Sequence, residues 1–421
     1  MDTTFNMNRD LSSGESPPLA TVQRVLRATT EFIAHELARP HAAAPDWCDL
    51  EWRIARAVVT IHGVSGLLAA GTRWPGAPGW DAFLMQQRAQ ISARQPRIRA
   101  LLQEIHAAAR AHGVPLVALK GAALHAQGVY AAGERPMADV DLLVAEADAP
   151  RAAELLGSLG FRLGPVTWKH QQFEPEGAPE TTTTLGENSA DPIKVELHAC
   201  IREILPLRPV DVTALVWPAA PAPGINDYRS RTGLLLHILL HASGALLGRT
   251  ARLLHLHDIA RLTQPMRPAD WDQFFTQGAA SADPQLWWAY PPLALADRYF
   301  GCVPQAVLER LASGCHWRLR RIYQRCALAD VSLSYLWVSA FPGIEWSRSL
   351  GEMASYAVQR VRPSPETIAL RKAFAASQPL VSGGAWAHTS QARRIVHWLR
   401  ARQPRQESLQ PVRASLALPL A

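Results

Sequence analysis

Two aspartates in the first half of the chain are spaced for metal chemistry. Asp139 and Asp141 lie two residues apart in the otherwise apolar run 139–144, DVDLLV. Side chains at positions i and i+2 of a strand share one face. Two carboxylates buried on one face need a cationic partner, because each costs several kcal/mol when it is unpaired. Hard oxygen ligands favour Mg2+ or Mn2+, so the spacing predicts a divalent-cation site.

A lysine, a glycine and an arginine near the aspartates are suited to phosphate binding. Lys120 is one of only four lysines in the chain, and it directly precedes Gly121. We expect Lys120 to bind phosphate as a point charge and Arg135 to bind it as a planar fork. Gly121 would let the backbone approach the phosphates at the N-terminus of the helix that follows.

A third acid, Glu196, stands in the run 193–198, IKVELH, where apolar and polar residues alternate. Alternation of this kind is typical of a strand with one buried face, and it places Glu196 on the polar face. Taken alone, Glu196 could equally be a solvated strand residue or the partner of an arginine.

The period of the apolar residues predicts the elements that position these side chains. Short apolar runs indicate strands, and apolar residues at intervals of three and four indicate helices. The expected elements are helices at 21–38, 50–68 and 80–112 (with a break near Pro96 left open), a strand at 114–119, a helix at 122–127, a loop at 128–138, a strand at 138–144, a helix at 148–159, a hairpin or variable loop at 170–184, a strand at 193–198, and an almost entirely helical remainder beyond residue 204.

The order of these pieces resembles a known superfamily. The segments Leu119-Lys120-Gly121, Asp139-Val140-Asp141 and Val195-Glu196-Leu197 are similar to the motifs of the DNA polymerase β-like nucleotidyltransferases. More narrowly, residues 95–310 resemble an uncharacterised bacterial nucleotidyltransferase family with an LKG motif. The resemblance implies an α+β fold, in which a small mixed β-sheet forms the nucleotidyltransferase core between N-terminal helices and a C-terminal helical domain.

The chemistry implied by the resemblance assigns roles to the three acids. Asp139 and Asp141 would bridge two Mg2+ (or Mn2+) ions about 3.5 to 4 Å apart. Glu196, on the neighbouring strand, would complete the shell of one ion and take the proton of the acceptor hydroxyl. The expected reaction moves a nucleoside monophosphate from an NTP to a hydroxyl of an unidentified acceptor.

One position departs from the superfamily pattern. Many of its members have a serine after the glycine, where the hydroxyl bonds the triphosphate, whereas this chain has Ala122. Lys120 is expected to substitute for that hydroxyl. Two other functions remain open: a non-catalytic nucleotide-binding or protein-interaction module that keeps the fold, and an RNA-directed transferase.

Several candidates also have a structural interpretation. Arg135 could neutralise the aspartates in a metal-free fold, and His198 could be a hydrogen-bonded structural residue instead of a ligand. Tyr130 could stack on a base or pack in the core. The i, i+4 pair His237 and His241 has a spacing that can bind zinc, but its apolar helix face favours a buried, hydrogen-bonded pair.

The chain exceeds the size of about 250 to 300 residues at which single cores stop growing, so more than one domain is expected. The sequence pattern predicts five segments: a disordered leader at 1–20, an N-terminal helical segment at 21–112, the nucleotidyltransferase catalytic core at 113–204, a C-terminal helical domain at 205–402 and a disordered tail at 403–421.

Composition also excludes several classes of protein. The five cysteines are odd in number and lack CxxC spacing, which argues against a disulfide framework or a zinc knuckle. We find no apolar run of about 18 residues and no secretory signal, so a cytoplasmic protein without a transmembrane segment is expected. Arginine-rich segments at 318–325 and 393–402 could contact nucleic acid or an anionic membrane surface, although solvated helix faces explain both.

Overall fold

The computed structural model describes residues 17–72, 74–166, 169–177, 185–279, 285–369 and 389–417. The leader predicted at 1–20 lies outside the described residues except for its last four, where the first helix already begins at Leu19. Residues 178–184, which belong to the hairpin or variable loop predicted at 170–184, also lie outside the described residues.

A mixed six-stranded sheet forms the centre of the fold, in the strand order β3-β4-β5-β2-β1-β8. Strands β2 and β5 are parallel, as are β1 and β8, and the remaining neighbours are antiparallel. A separate ribbon pairs β6 with β7. The strands are β1 Pro115–Ala118, β2 Asp139–Val144, β3 Phe161–Val166, β4 Gln171–Pro175, β5 Lys194–His198, β6 Arg202–Ile204, β7 Pro209–Asp211 and β8 Gly224–Asn226.

Helices precede and follow the sheet, which confirms the predicted α+β class. They are α1 Leu19–Ala38, α2 Asp49–Ile61, α3 Ser65–Gly71, α4 Trp80–Ala111, α5 Lys120–Ala126, α6 Ala149–Ser158, α7 Thr213–Val216, α8 Arg231–Gly248, α9 Leu253–Thr263, α10 Pro268–Ala279, α11 Tyr290–Phe300, α12 Gln305–Gly314, α13 Trp317–Tyr323, α14 Leu328–Val331, α15 Leu350–Val361, α16 Gln391–Leu399 and α17 Gln406–Ala417. Within the described ranges, none of the helices alone has the length and apolarity to cross a membrane, whereas α2 and α3 together, bent by 113°, meet that criterion as a pair.

The two faces of β2 belong to different apolar clusters. Val140, Leu142 and Val144 pack with residues of α4 and α6, whereas Leu143 packs with the cluster that contains the N-terminal and C-terminal helices. Because side chains alternate along a strand, Asp139 and Asp141 share the side of Leu143. The two aspartates therefore face the helical part of the molecule.

The N-terminal helix α1 and the C-terminal helices share a single apolar cluster. Buried side chains of α1 such as Leu26 and Ile33 belong to the same cluster as Leu239 of α8 and Leu293 of α11. The domain boundaries stay a prediction. Helices that precede the sheet in the sequence pack in space against helices that follow it.

The structure differs from the sequence prediction in four elements. The helix expected at 50–68 is two helices, because Gly63 takes a left-handed conformation with φ 68° between them. At Pro96, where the prediction left a break open, α4 is continuous. The short strands β7 and β8 lie in the region predicted as helical. Each has only three residues, which are too few to show the alternation of a strand in the sequence.

The fourth difference lies at the C-terminus, where residues 403–421 were expected to be disordered. Residues 406–417 form α17, and its side chains Leu409 and Val412 are buried in the large helical cluster. Leu409, Val412 and Leu416 have helical spacing, but Pro411 between them disfavours a helix in the sequence, and the contact with α2 is long-range.

Candidate functional site

The sheet register brings the three predicted acids together. Asp141 of β2 is the direct register partner of Glu196 of β5, and Asp139 is opposite Lys194. Asp139 shares the face of Asp141 through strand alternation. All six predicted site residues line one cleft of about 580 Å³ between the sheet and helices α8 and α9: Lys120, Gly121, Arg135, Asp139, Asp141 and Glu196.

Asp141 is the most tightly held of the acids. Its Oδ1 lies 2.8 Å from the Lys120 ammonium and 2.9 Å from Nε2 of His198. Burial would raise the pKa of Asp141, but Lys120 and His198 outweigh burial and hold that pKa well below its usual range. Burial likewise disfavours the charged form of Lys120, yet Asp141 raises the Lys120 pKa. The pair is ionised and directed into the cleft.

Asp139 lies in an environment that lacks sufficient positive charge. Burial, followed by the neighbouring charges of Asp141 and Glu196, raises the pKa of Asp139 to about 7. Lys120 and Arg252 act in the opposite direction without cancelling the effect. A cation placed among these carboxylates would remove the repulsion, which is the electrostatic condition expected of a metal site.

Glu196 has two histidine neighbours. Its Oε2 lies 3.3 Å from Nδ1 of His170 and 3.7 Å from Nε2 of His198. His198 follows Glu196 by two residues on β5, and His170 directly precedes β4. His198 also hydrogen-bonds Asp141, so the choice between a structural residue and a ligand stays open, and the position of His170 was not expected.

Lys120 has an unusual backbone conformation at the start of α5. Its φ of 45° lies in the left-handed region, which a non-glycine residue enters only at a cost of about 1 to 3 kcal/mol and which is found most often at functional sites. Its amide donates to the Tyr228 hydroxyl at 3.2 Å, and that hydroxyl lies 2.8 Å from Nδ1 of His237. The chain of contacts links the Lys-Gly turn to α8.

Gly121 is needed for a close approach of side chains. A Cβ at this position would lie 2.5 Å from Nη1 of Arg135 and 2.7 Å from the Met137 sulfur. The role predicted for Gly121, access of phosphate to the backbone, stays a prediction, and the structure gives the glycine a packing role as well. Ala122, which follows it, is buried in the cluster beneath the sheet.

Arg135 forms a buried ion pair that links the loop before β2 to helix α9. Its Nε and Nη2 donate to the two carboxylate oxygens of Asp258 at 2.9 and 2.8 Å. The Tyr130 hydroxyl donates to the same carboxylate at 2.7 Å. Arg135 therefore neutralises Asp258 of α9, not the two aspartates of β2, and Tyr130 packs in the core.

Of the remaining histidines of the cleft, His237 is buried and hydrogen-bonded, whereas His241 and His255 are half-buried and contact each other edge to face. His237 bonds Tyr228, as described above, and the ring of His241 lies 5.0 Å from that of His255. Burial, then the charge of Lys120, lowers the pKa of His237 to about 3. His237 thus has the hydrogen bond expected of a structural histidine, whereas His241 contacts His255 and is only half-buried.

The sequence did not predict three residues that line the cleft. His170 lies in a segment whose polar residues show no motif, and Lys169 pairs with Glu203 of β6. Arg252, at the N-terminus of α9, lines the cleft and interacts electrostatically with Asp139. The scarcity of lysine in the chain was a usable signal for Lys169, but Arg252 is one arginine among many.

Comparison with known proteins agrees with this geometry. The family described as "Uncharacterised nucleotidyltransferase" matches residues 49–283, more than half of the chain. The chain belongs to this family. The match contains every strand of the sheet and every predicted site residue. No curated protein and no solved structure matches the chain.

Membership in the family gives the chain a general role in nucleotidyl transfer and a nucleotide as substrate. It covers α2 to α10 and leaves the helices from α11 onward outside the matched region.

Proposed function

We propose that this protein is a divalent-cation-dependent nucleotidyltransferase that moves a nucleoside monophosphate from an NTP to a hydroxyl of an acceptor. One observation carries the proposal: Asp141 and Glu196 are register partners on two neighbouring parallel strands, with Asp139 on the same face. Three carboxylates on the floor of one cleft, with Lys120 beside them, suit a cation and a triphosphate.

The residues present fit Mg2+ or Mn2+. Asp139, Asp141 and Glu196 offer oxygen ligands on neighbouring strands, and the raised pKa of Asp139, caused by burial and then by Asp141 and Glu196, reflects negative charge that a cation would balance. When bound, such an ion supplies Lewis-acid stabilisation of the charge on the triphosphate and the acceptor oxygen.

The transfer step balances with the residues of this cleft. The acceptor oxygen bonds to the α-phosphorus, and the bond from that phosphorus to the bridging oxygen breaks, so that pyrophosphate leaves. Glu196 lies on the cleft floor and would accept the proton of the acceptor hydroxyl. Lys120, half-buried and held as an ammonium by Asp141, would stabilise charge on the phosphates.

Two arginines extend the proposed phosphate site. Arg135 uses Nε and Nη2 on Asp258, so we propose that it contacts phosphate through Nη1, which faces Gly121. Arg252 is an exposed residue of the cleft wall near Asp139 and would add a second guanidinium for the triphosphate.

The experiment is label transfer by the purified full-length chain. The protein is incubated with Mg2+ or Mn2+, each NTP labelled at the α-phosphate, and fractions of a cell extract as the source of acceptor. We expect label to appear in one fraction with the wild type and to be lost with D139N and D141N. The matched control is D272N, on the exposed surface of α10, which should transfer label as the wild type does.

Two results would contradict the proposal. One is the absence of both NTP binding and label transfer from every NTP. The other is a biological phenotype that D139N and D141N leave intact, which would favour a non-catalytic module that keeps the fold.

A further inference from the structure

We propose that His170, Glu196 and His198 form a binding site for a first-row transition-metal ion such as Zn2+ or Co2+. Because two of the three ligands are imidazoles, the site would prefer these ions to Mg2+. The inference deepens the proposed function and rests on it where the two share Glu196. It assigns a metal-binding role to two histidines that the nucleotidyl-transfer proposal does not use.

The distances between the side-chain atoms are those of ligands around one ion. One ring nitrogen of His170, one ring nitrogen of His198 and a carboxylate oxygen of Glu196 all lie within 4.8 Å of one another. The two histidine nitrogens are 3.3 and 3.7 Å from the same oxygen, Oε2. Ligands about 2.0 to 2.2 Å from a tetrahedral ion are about 3.3 Å apart, so an ion fits with small side-chain shifts.

Two of these ligands lie on β5, and the third, His170, directly precedes the neighbouring strand β4. Glu196 and His198 are two residues apart on β5, so their side chains leave the same face. Strand β4 pairs antiparallel with β5, with Gln171 opposite Leu197, which brings His170 next to His198. The two imidazole rings lie 5.2 Å apart between centroids. Two paired strands provide the rigid support that a metal site requires.

Asp141 provides a second carboxylate at the edge of this site. Its Oδ1 lies 2.9 Å from Nε2 of His198, the same nitrogen that faces Glu196. Two carboxylates beside two histidines would balance the charge of a divalent ion. Asp141 also gives the site an anionic neighbour shared with the proposed nucleotidyl-transfer centre.

The ligand type determines which ion the site prefers. Imidazole nitrogens suit borderline ions such as Zn2+ and Co2+, whereas Mg2+ takes oxygen ligands and keeps much of its water. Two nitrogens among the ligands therefore shift selectivity away from Mg2+. Affinity should follow the order Mn2+, Co2+ and then Zn2+, the last being tightest.

The test uses the colour of bound Co2+ and needs no nucleotide or acceptor. Full-length protein is stripped with a chelator and titrated with Co2+ at neutral pH while visible absorption is recorded. We expect ligand-field bands that saturate near one Co2+ per chain, displacement by a small excess of Zn2+, and no displacement by a roughly 100-fold excess of Mg2+.

Histidine variants locate the site. H170A should weaken Co2+ binding by roughly 10- to 100-fold or abolish the bands. The matched control is H112A, an exposed histidine at the end of α4, which should bind as the wild type does. H198Q is a second variant, with urea unfolding to check that each protein is folded, and loss of the bands in either folded variant supports the site.

The outcomes separate this inference from the proposed function. Co2+ binding that is unchanged in folded H170A or H198Q overturns the metal site, as does equal displacement of Co2+ by Mg2+ and Zn2+. Label transfer supported by Mg2+ would survive either result. Conversely, Co2+ binding that depends on His170 supports the metal site even if no NTP is used as substrate.

Discussion

Arg135 and Asp258 form a buried, two-pronged ion pair between residues 123 positions apart in the chain. The arginine lies in the loop before β2, and the aspartate lies on α9. Burial opposes both charges, but the pair raises the pKa of Arg135 and lowers that of Asp258. The contact therefore fixes the loop that precedes the aspartates against the helical wall of the cleft.

We predict that D258A lowers the free energy of unfolding by about 3 to 5 kcal/mol. Removing one partner leaves the guanidinium buried without its countercharge, which costs more than the intact pair contributes. Urea unfolding followed by circular dichroism measures the change. The double variant R135M/D258L removes both charges and should be more stable than D258A. If R135M/D258L is less stable than D258A, the unpaired guanidinium is not the cause of the destabilisation.

We predict that K120M weakens NTP binding by roughly 10- to 100-fold, because a charged hydrogen bond contributes about 1.5 to 3 kcal/mol. Isothermal titration with a non-hydrolysable NTP measures the dissociation constant. The matched control is K194M, which removes a half-exposed lysine paired with Glu174 on the sheet. Equal affinities for K120M and K194M would remove Lys120 from the phosphate site.

We predict that G121A lowers the free energy of unfolding by about 1 to 3 kcal/mol, because the added Cβ would overlap Arg135 and Met137 and force them to move. The control is G157A in α6, where no atom lies within 4 Å of the new Cβ. Alanine in that helix should be neutral or stabilising by up to about 1 kcal/mol. Urea midpoints that fall equally in both variants would refute the packing role of Gly121.

Stability should also fall between neutral pH and pH 5 because of His62. Burial, followed by the charge of Arg252, lowers the pKa of His62 to about 3 in the fold, against about 6.5 when unfolded. A pKa depressed by folding means that the unfolded chain binds the proton first, so stability is lost as pH falls through the interval from 6.5 to 3. At pH 5 the loss from this group is about 2 kcal/mol.

The measurement compares urea unfolding of the wild type and H62N at pH 7.5 and pH 5. Carboxylates and other histidines titrate in both proteins, so the difference between their pH slopes isolates His62. The wild type should lose more stability than H62N. H112N, which removes an exposed histidine, should retain the wild-type slope, and identical slopes in all three proteins would contradict the prediction.

The sequence by itself determined the local chemistry of the site. The i, i+2 spacing of Asp139 and Asp141 and the alternation around Glu196 identified three acids on strands, and the Lys-Gly turn identified the start of α5. These features depend on the period of two residues in a strand, which is visible in the amino-acid order. The α+β class followed from the same periods, and the order of the motifs indicated the family.

Only the tertiary structure decided which residues meet across the fold. The register of β4 against β5 brings His170 to Glu196 and His198, and the packing of α9 gives Arg135 its partner Asp258. Strand β8 and helix α17 were missed for the same reason, since both are stabilised by long-range contacts. Such contacts depend on strand register and helix packing, which no local period of a single sequence specifies.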